Sequence, residues 1–130
     1  MLLPNIQSEV IINQKSTVSW ISQEIIYVYY EPNSVLEVAD FQESLDAFNK
    51  MSRGRSLKVL SEFGPYCSAT VEARKFGENI ELNATHEAMV FKGLAQRLLL
   101  RFFNALRKQK HPLRFFQSKE EALKWLESFE

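Results

Sequence analysis

Segments that suit β-strands alternate with segments that suit α-helices along most of this 130-residue chain. Residues 24–31 hold its densest run of aromatic and β-branched side chains, and residues 56–63 and 88–91 are short apolar runs. Amphipathic stretches of helical length lie between these segments. This alternation predicts parallel strands joined by right-handed crossovers, with the helices packed on the sheet.

The beginning of the chain predicts antiparallel pairing as well. Residues 8–13 and 17–22 are rich in Val, Ile and Trp, and the polar residues 13–15 between them suit a turn. A hairpin at this point makes the sheet mixed. The predicted order is therefore β-β-β-α-β-α-β-α-β-α, a mixed sheet of about six strands with helices packed on it. A chain of this length fits one α/β domain, residues 1–130.

Capping patterns predict where the helices begin and end. Ser34 stands three residues before Glu37, which is a capping-box pattern and predicts the start of the first helix. Thr70 or Ser68 is expected to cap the second helix. Gly77 is expected to interrupt that helix, so that the apolar residues following it form a separate helical turn.

The helix predicted over residues 93–107 has an unusually wide apolar arc. Leu100 and Phe103 extend the arc beyond what a helix lying on a sheet needs. Either the helix is packed deeply beneath another one, or it offers a dimer or ligand interface. Arg97 and Arg101 form a basic stripe on the same helix.

Positive and negative side chains balance in number but not in position. Sixteen Lys and Arg match sixteen Asp and Glu, and a net charge of zero argues against nucleic-acid binding, which needs many phosphate-neutralising cations. Between residues 92 and 119 there are many cations and no acidic residue. This stretch is either a solvated face or a surface for an anion, a membrane or an acidic partner.

A single cysteine, Cys67, cannot form an internal disulfide and suits a reducing compartment. The first residues lack a basic segment followed by an apolar run, so we expect no secretory signal. No apolar stretch approaches the roughly 20 residues of a membrane span. We therefore expect a cytoplasmic protein without an integral membrane segment.

None of the sequence motifs indicates an enzyme, a cofactor or a metal site. His86 and His111 stand outside HExxH or paired-cysteine settings, and there is no glycine-rich phosphate loop. A nucleophile pair of Cys67 with a histidine would require both in one cleft beside an acidic residue. Glu62 and Arg74 flank one loop and are the best candidates for an ion pair.

Several pieces of the second half stand in an order that resembles a known family. They are a strand ending at Glu62, a helix start Thr-Val-Glu-Ala-Arg at 70–74, a buried strand at 88–91, a proline-led strand at 112–116, and the sequence Glu-Glu-Ala-Leu-Lys-Trp-Leu at 120–126. The arrangement resembles an uncharacterised branch of small bacterial proteins with the STAS-like fold of SpoIIAA, the sporulation anti-sigma-factor antagonist. The resemblance covers most of the chain and implies that fold and a binding or regulatory role.

The loop before the second helix departs from the antagonist pattern. Antagonists of this kind carry a phosphorylatable serine after an aspartate and before a glycine, whereas residues 64–70 read Gly-Pro-Tyr-Cys-Ser-Ala-Thr. Ser68 and Thr70 are therefore candidates either for phosphate acceptance at a helix N-terminus or for helix capping. The sigma-factor switch does not follow from the resemblance.

The favoured function is a non-catalytic binding or regulatory module for a protein partner or a second copy of the chain. Its candidate partner or anion surface comprises Glu62, Ser68, Thr70, Arg74, Arg97 and Arg101, with Leu100 and Phe103 as a candidate apolar interface. The alternative is a carrier of a small apolar or lipid-like ligand, whose acidic head would meet Arg97 and Arg101. An enzyme is the least favoured hypothesis.

Overall fold

The computed structural model of the chain describes residues 9–93 and 111–129. Within these residues a six-stranded mixed sheet carries helices on both faces, which confirms the predicted α/β fold. The strands are β1 Val10–Ile12, β2 Ser16–Ser22, β3 Ile25–Tyr30, β4 Val35–Leu36, β5 Leu57–Phe63, β6 Ser68–Ala69, β7 Ala84–Val90 and β8 Leu113–Phe116. The helices are α1 Val38–Ser52, α2 Val71–Glu78 and α3 Lys119–Glu127.

The six strands lie in the order β1-β2-β3-β5-β7-β8. β1, β2 and β3 pair antiparallel, whereas β3, β5, β7 and β8 pair in parallel. The initial hairpin and the parallel second half are therefore both confirmed. β4 and β6 form a separate parallel pair that the sequence did not predict, because two residues are too few to show a period.

Alternation along β5 separates two cores, since successive side chains of a strand point to opposite faces. Val59 lies in the core formed with α1, whose Phe48 is 1% exposed. Leu60 lies in the core on the other face, where it packs with Leu126 of α3. Both faces of the central strand are therefore buried, as in other parallel sheets.

Two consecutive strand-to-helix connections share one backbone shape. The connection after β3 contains Pro32 and Asn33, and the connection after β5 contains Pro65 and Tyr66. Asn33 and Tyr66 both adopt a φ of 60°, in the left-handed region. The Asn33 amide donates a hydrogen bond to the Pro65 carbonyl at 2.9 Å, so the two connections brace each other. We call them the twin turns, residues 31–37 and 64–70.

Helix α1 begins later than the Ser34 pattern predicted. The Ser34 hydroxyl donates to the Glu31 carbonyl at 2.6 Å and so stabilises the first twin turn. Glu37 is the N-cap residue, and its amide donates to the Asp40 carboxylate at 2.7 Å. The prediction was wrong because Val35 and Leu36 extend as β4 before the helix starts.

Helix α2 continues through Gly77 to Glu78, so the predicted interruption was also wrong. Ile80 and Leu82 lie beyond the helix in irregular structure rather than in a further helical turn. Strand β7 starts at Ala84, earlier than predicted, because the polar first half of this strand hides its period.

Candidate ligand cavity

A cavity of about 110 Å³ lies on the face of the sheet that packs against α1 and α2. Its walls come from β3, β5, β7, both helices and the twin turns. Most of the lining is apolar. Apolar residues of the lining include Val28, Phe48, Val59, Phe63, Ile80 and Leu82.

The cavity reaches the surface beside the second twin turn. Ser68 and Arg74 both line it, and Ser68 is exposed while Arg74 is half-buried. Tyr30 and Phe63, at the carboxyl ends of two neighbouring parallel strands, line it as well. The carboxyl end of a parallel sheet is where α/β folds commonly bind ligands.

Thr70 fixes the start of α2 next to this opening. Its hydroxyl accepts a hydrogen bond from the Ala73 amide at 3.1 Å, and its own amide donates to the Leu36 carbonyl at 3.0 Å. The predicted capping role of Thr70 is therefore confirmed, while phosphorylation of Ser68 or Thr70 stays a prediction. Capping sets the first turn of α2, and Arg74 follows one turn later.

Two polar groups of the cavity wall satisfy each other. The Tyr30 hydroxyl lies 2.7 Å from the Ser44 hydroxyl, and Ser44 donates its own proton to the Phe41 carbonyl at 2.9 Å. Tyr30 is therefore the donor to Ser44. Burial raises the pKa of the Tyr30 phenol, so that it stays neutral across the physiological range.

Ser61 presents a hydroxyl that the described residues do not satisfy. The residue is 8% exposed, lies on the cavity face of β5 and lines the cavity, yet its side chain makes no hydrogen bond within the described parts of the chain. A buried hydroxyl without a partner costs about 1–3 kcal/mol. It is therefore available to a polar group inside the cavity. The sequence could have indicated this residue, because Ser61 is a polar residue among the apolar residues of a predicted strand.

An acidic residue and a histidine meet at the β7 side of the cavity. Glu87 is 2% exposed and lines the cavity, and its Oε1 lies 3.0 Å from Nε2 of His111. Buried charges are costly unless they are paired, and this contact supplies a partner for Glu87. Sequence reasoning missed the pair because Glu87 lies within β7, whereas His111 comes 24 residues later, just before β8.

Cys67 lines the same cavity, while His86 belongs to the other face of the sheet. The Cys67 Sγ lies 3.5 Å from the Ser34 hydroxyl, and burial raises the pKa of the thiol. The His86 ring stacks on Phe129, with ring centroids 3.9 Å apart. The structure thus does not bring Cys67 together with His86. Within residues 9–93 and 111–129, no cluster of His, Cys, Asp and Glu could hold a metal ion.

Glu62 does not pair with Arg74, contrary to the ion pair expected from sequence. Alternation along β5 directs Glu62 to the α3 face, where it accepts a hydrogen bond from the Tyr27 hydroxyl at 2.6 Å. Its other oxygen lies 3.4 Å from Nζ of Lys92. Arg74 lines the cavity on the opposite face. Two opposite charges that flank a loop do not meet when the alternation of the strand directs one of them to the other face of the sheet.

Four of the predicted site residues lie outside the described residues: Arg97, Leu100, Arg101 and Phe103. Of the remaining four, Ser68, Thr70 and Arg74 lie together around the opening of the cavity, and Glu62 does not. Over the described parts of the chain, helices are too short or too polar to cross a membrane.

Residues 19–130 match the profile of a family described as a domain of unknown function, DUF7793. The chain belongs to this family. A search of the curated proteins finds no match. The family assignment therefore names no activity.

One solved structure supports the resemblance to the SpoIIAA-like fold. The chain is similar to an uncharacterised DUF3478-family protein with a SpoIIAA-like fold from Shewanella loihica PV-4, with a TM-score of 0.57 and 16% identity over 91% of this chain and 90% of that one. A protein of unknown function from Arthrobacter sp. FB24 matches with a TM-score of 0.33 and 18% identity, over 85% of this chain and 97% of that one. At 16% identity, the first match shows the fold alone.

Proposed function

We propose that this domain is a non-catalytic binding module that holds a small, largely apolar molecule in the cavity between the sheet and helices α1 and α2. The observation that carries the proposal is the cavity itself, about 110 Å³ within a wall that is mostly apolar. Protein interiors are close-packed, so a space of this size stands out from ordinary packing. A cavity of about 150 Å³ in another protein binds benzene, which sets the scale of ligand expected here.

The polar groups of the wall support binding rather than catalysis. Ligand sites are typically apolar with a few well-placed polar groups. Ser61 and Arg74 supply such groups, whereas Cys67 has a raised pKa that disfavours the nucleophilic thiolate. The lone cysteine also suits a reducing compartment, so we place the module in the cytoplasm.

Replacing Leu45 by Trp is expected to weaken ligand binding by about tenfold or more, because the larger ring occupies the cavity. Leu45 lines the cavity from α1 and is only half-buried, so the helix can accommodate the change. Hexan-1-ol, a small neutral probe, would be titrated into labelled protein and followed by NMR chemical-shift changes.

The matched control is Asn49→Trp, one turn further along α1, where the side chain is exposed and does not line the cavity. This variant should bind hexan-1-ol as the unaltered protein does. Absence of saturable binding to the unaltered protein, or equal weakening by both tryptophans, would count against the cavity as the ligand site.

A second candidate function, binding to another copy of the chain, is favoured by exposed apolar side chains at the twin turns. Tyr66 is 85% exposed and Val35 53% exposed, and Val71 at the start of α2 is 50% exposed. Tyr66 also holds a left-handed backbone that a tyrosine adopts at a cost of about 1–2 kcal/mol. An aromatic side chain displayed in this way is typical of protein interfaces.

Tyr66→Ser is expected to weaken self-association by about tenfold or more, because it removes the most exposed aromatic ring of this surface. Sedimentation equilibrium over a range of protein concentrations measures the effect. The control is Glu78→Ser at the far end of α2. A monomer at every concentration before substitution rules out self-association, and the cavity proposal is unaffected by that result.

A further inference from the structure

We propose that the ligand of the cavity is an acid with a short apolar chain, whose carboxylate is bound by Arg74 at the opening and whose chain lies against the apolar wall. This inference rests on the proposed function, since it names the class of molecule that the cavity takes. Its first support is the contrast between an apolar interior and the cation Arg74 in the part of the wall that the structure describes.

Among the described residues, no carboxylate neutralises Arg74. It is half-buried, and within the described residues its guanidinium forms no salt bridge or hydrogen bond. Glu62, which the sequence suggested as its partner, lies on the opposite face, where it contacts Tyr27 and Lys92. A planar guanidinium without a partner suits a carboxylate, which it can bind through two parallel hydrogen bonds.

The other charged residue of the described wall, Glu87, does not compete for this position. Glu87 is held by His111 at 3.0 Å. Arg74 is therefore the cation that remains for a ligand within the described part of the wall.

Two hydroxyl groups add polar contacts for the head of such a ligand. Ser68 lies at the opening and its hydroxyl makes no hydrogen bond within the described residues. Ser61 lies deeper, is 8% exposed and is likewise unsatisfied there. Ser61 is independent evidence for a ligand, because buried hydroxyl groups that lack a hydrogen-bond partner are rare in native proteins.

Size restricts the apolar part. A cavity of about 110 Å³, compared with about 150 Å³ for one that holds benzene, takes an apolar chain of about five carbons whose head lies at the opening, and it excludes a full-length lipid tail. The opening at Ser68 and Arg74 leaves the charged end near water, which avoids the cost of burying a carboxylate completely. An amphipathic monocarboxylic acid satisfies both conditions.

The test compares two probes of equal chain length, hexanoate and hexan-1-ol, by NMR titration at neutral pH. We expect hexanoate to bind about tenfold more tightly than the alcohol, as one charge-assisted hydrogen-bonded pair would give. Arg74→Gln should remove this preference, because the carboxylate loses its charged partner while the apolar wall stays the same. Arg74→Lys should retain part of it, because the charge remains but the paired geometry is lost.

Lys75→Gln is the matched control, since Lys75 is an exposed cation on the same helix that does not line the cavity. It should leave the preference for hexanoate intact, and raising the salt concentration should reduce that preference only modestly. The preference should also fall as the pH drops through the pKa of the free acid, which then loses its charge.

Three results overturn the inference in distinguishable ways. If the alcohol binds as tightly as the acid and Arg74→Gln changes neither affinity, the proposal of an acidic ligand fails. The proposal that the cavity binds a small apolar molecule then remains. If neither probe binds to the unaltered protein, both the acidic head and the proposed function fail. Equal loss of preference in Lys75→Gln would show that surface charge, not Arg74 in the cavity, attracts the acid.

Discussion

Gly64→Ala is expected to lower the free energy of unfolding by about 3 kcal/mol, because no room exists for a methyl group at the end of β5. An added Cβ would lie 2.7 Å from the backbone nitrogen of Pro32 and 2.8 Å from the carbonyl oxygen of Tyr30. Both contacts are with backbone atoms, which cannot rotate aside as a side chain can. The twin turns would have to separate.

The same substitution should also reduce ligand binding, because Gly64 supports the opening of the cavity. The Gly64 amide donates to the Tyr30 carbonyl at 2.9 Å, and its carbonyl accepts from the Cys67 amide at 3.1 Å. Displacing Gly64 therefore moves Cys67 and the adjoining Ser68, both of which line the cavity. Urea denaturation gives the stability change and titration with hexan-1-ol gives the binding change.

Gly93→Ala provides the comparison, because a Cβ there meets no atom within 4 Å. We expect its effect on the free energy of unfolding to stay within about 0.5 kcal/mol. If Gly64→Ala had an equally small effect, the close approach of the two turns would not constrain the fold. The conclusion that the twin turns stabilise each other would then be contradicted.

Periodicity was enough to predict the strands of the main sheet and their order along the chain. The aromatic run ending at Tyr30 and the apolar run ending at Phe63 both form buried parallel strands, and Ser118 caps α3 by accepting from the Glu121 amide at 3.2 Å. These features are local or repeat at a fixed interval, so a single sequence carries them. The fold of the described residues follows from such signals together with the right-handed crossover rule.

Tertiary packing decided the features that local patterns missed. Ser34 has the position of a helix cap, but its hydroxyl is used by the turn at Glu31. Gly77 usually weakens a helix, yet here it is buried in α2 and lines the cavity. Neither the role of Ser34 nor that of Gly77 can be predicted from neighbouring residues, because each depends on contacts with distant parts of the chain.

The candidate site was only partly predictable for a related reason. Thr70 and Arg74 were recognisable from a helix start, and the structure puts Arg74 beside a cavity that no sequence pattern reports. Glu62 was assigned to the wrong partner because sequence proximity across a loop ignores the face to which a strand residue points. Ser61 could have been found as a polar residue among buried apolar ones.

Phe48→Ala is expected to lower the free energy of unfolding by about 3–5 kcal/mol and to shift ligand preference towards longer chains. Phe48 is 1% exposed, belongs to the core beneath α1 and also lines the cavity. Removing its ring costs the lost contacts plus the empty space left behind. Because that space adjoins the cavity, it is available to a longer chain than the unaltered protein accepts.

Leu126→Ala separates the two effects, since Leu126 is fully buried in the core on the other face of the sheet. It should cost about 2–5 kcal/mol as well, through the same loss of packing, but it enlarges no space next to the cavity. Urea denaturation measures both stabilities, and NMR titration with hexanoate, octanoate and decanoate measures chain-length preference.

If Phe48→Ala leaves too little folded protein, Phe48→Leu makes a smaller space and should produce a smaller shift in the same direction. An identical chain-length profile in the Phe48 and Leu126 variants would mean that Phe48 does not bound the ligand, and the cavity would then have to be assigned a structural role.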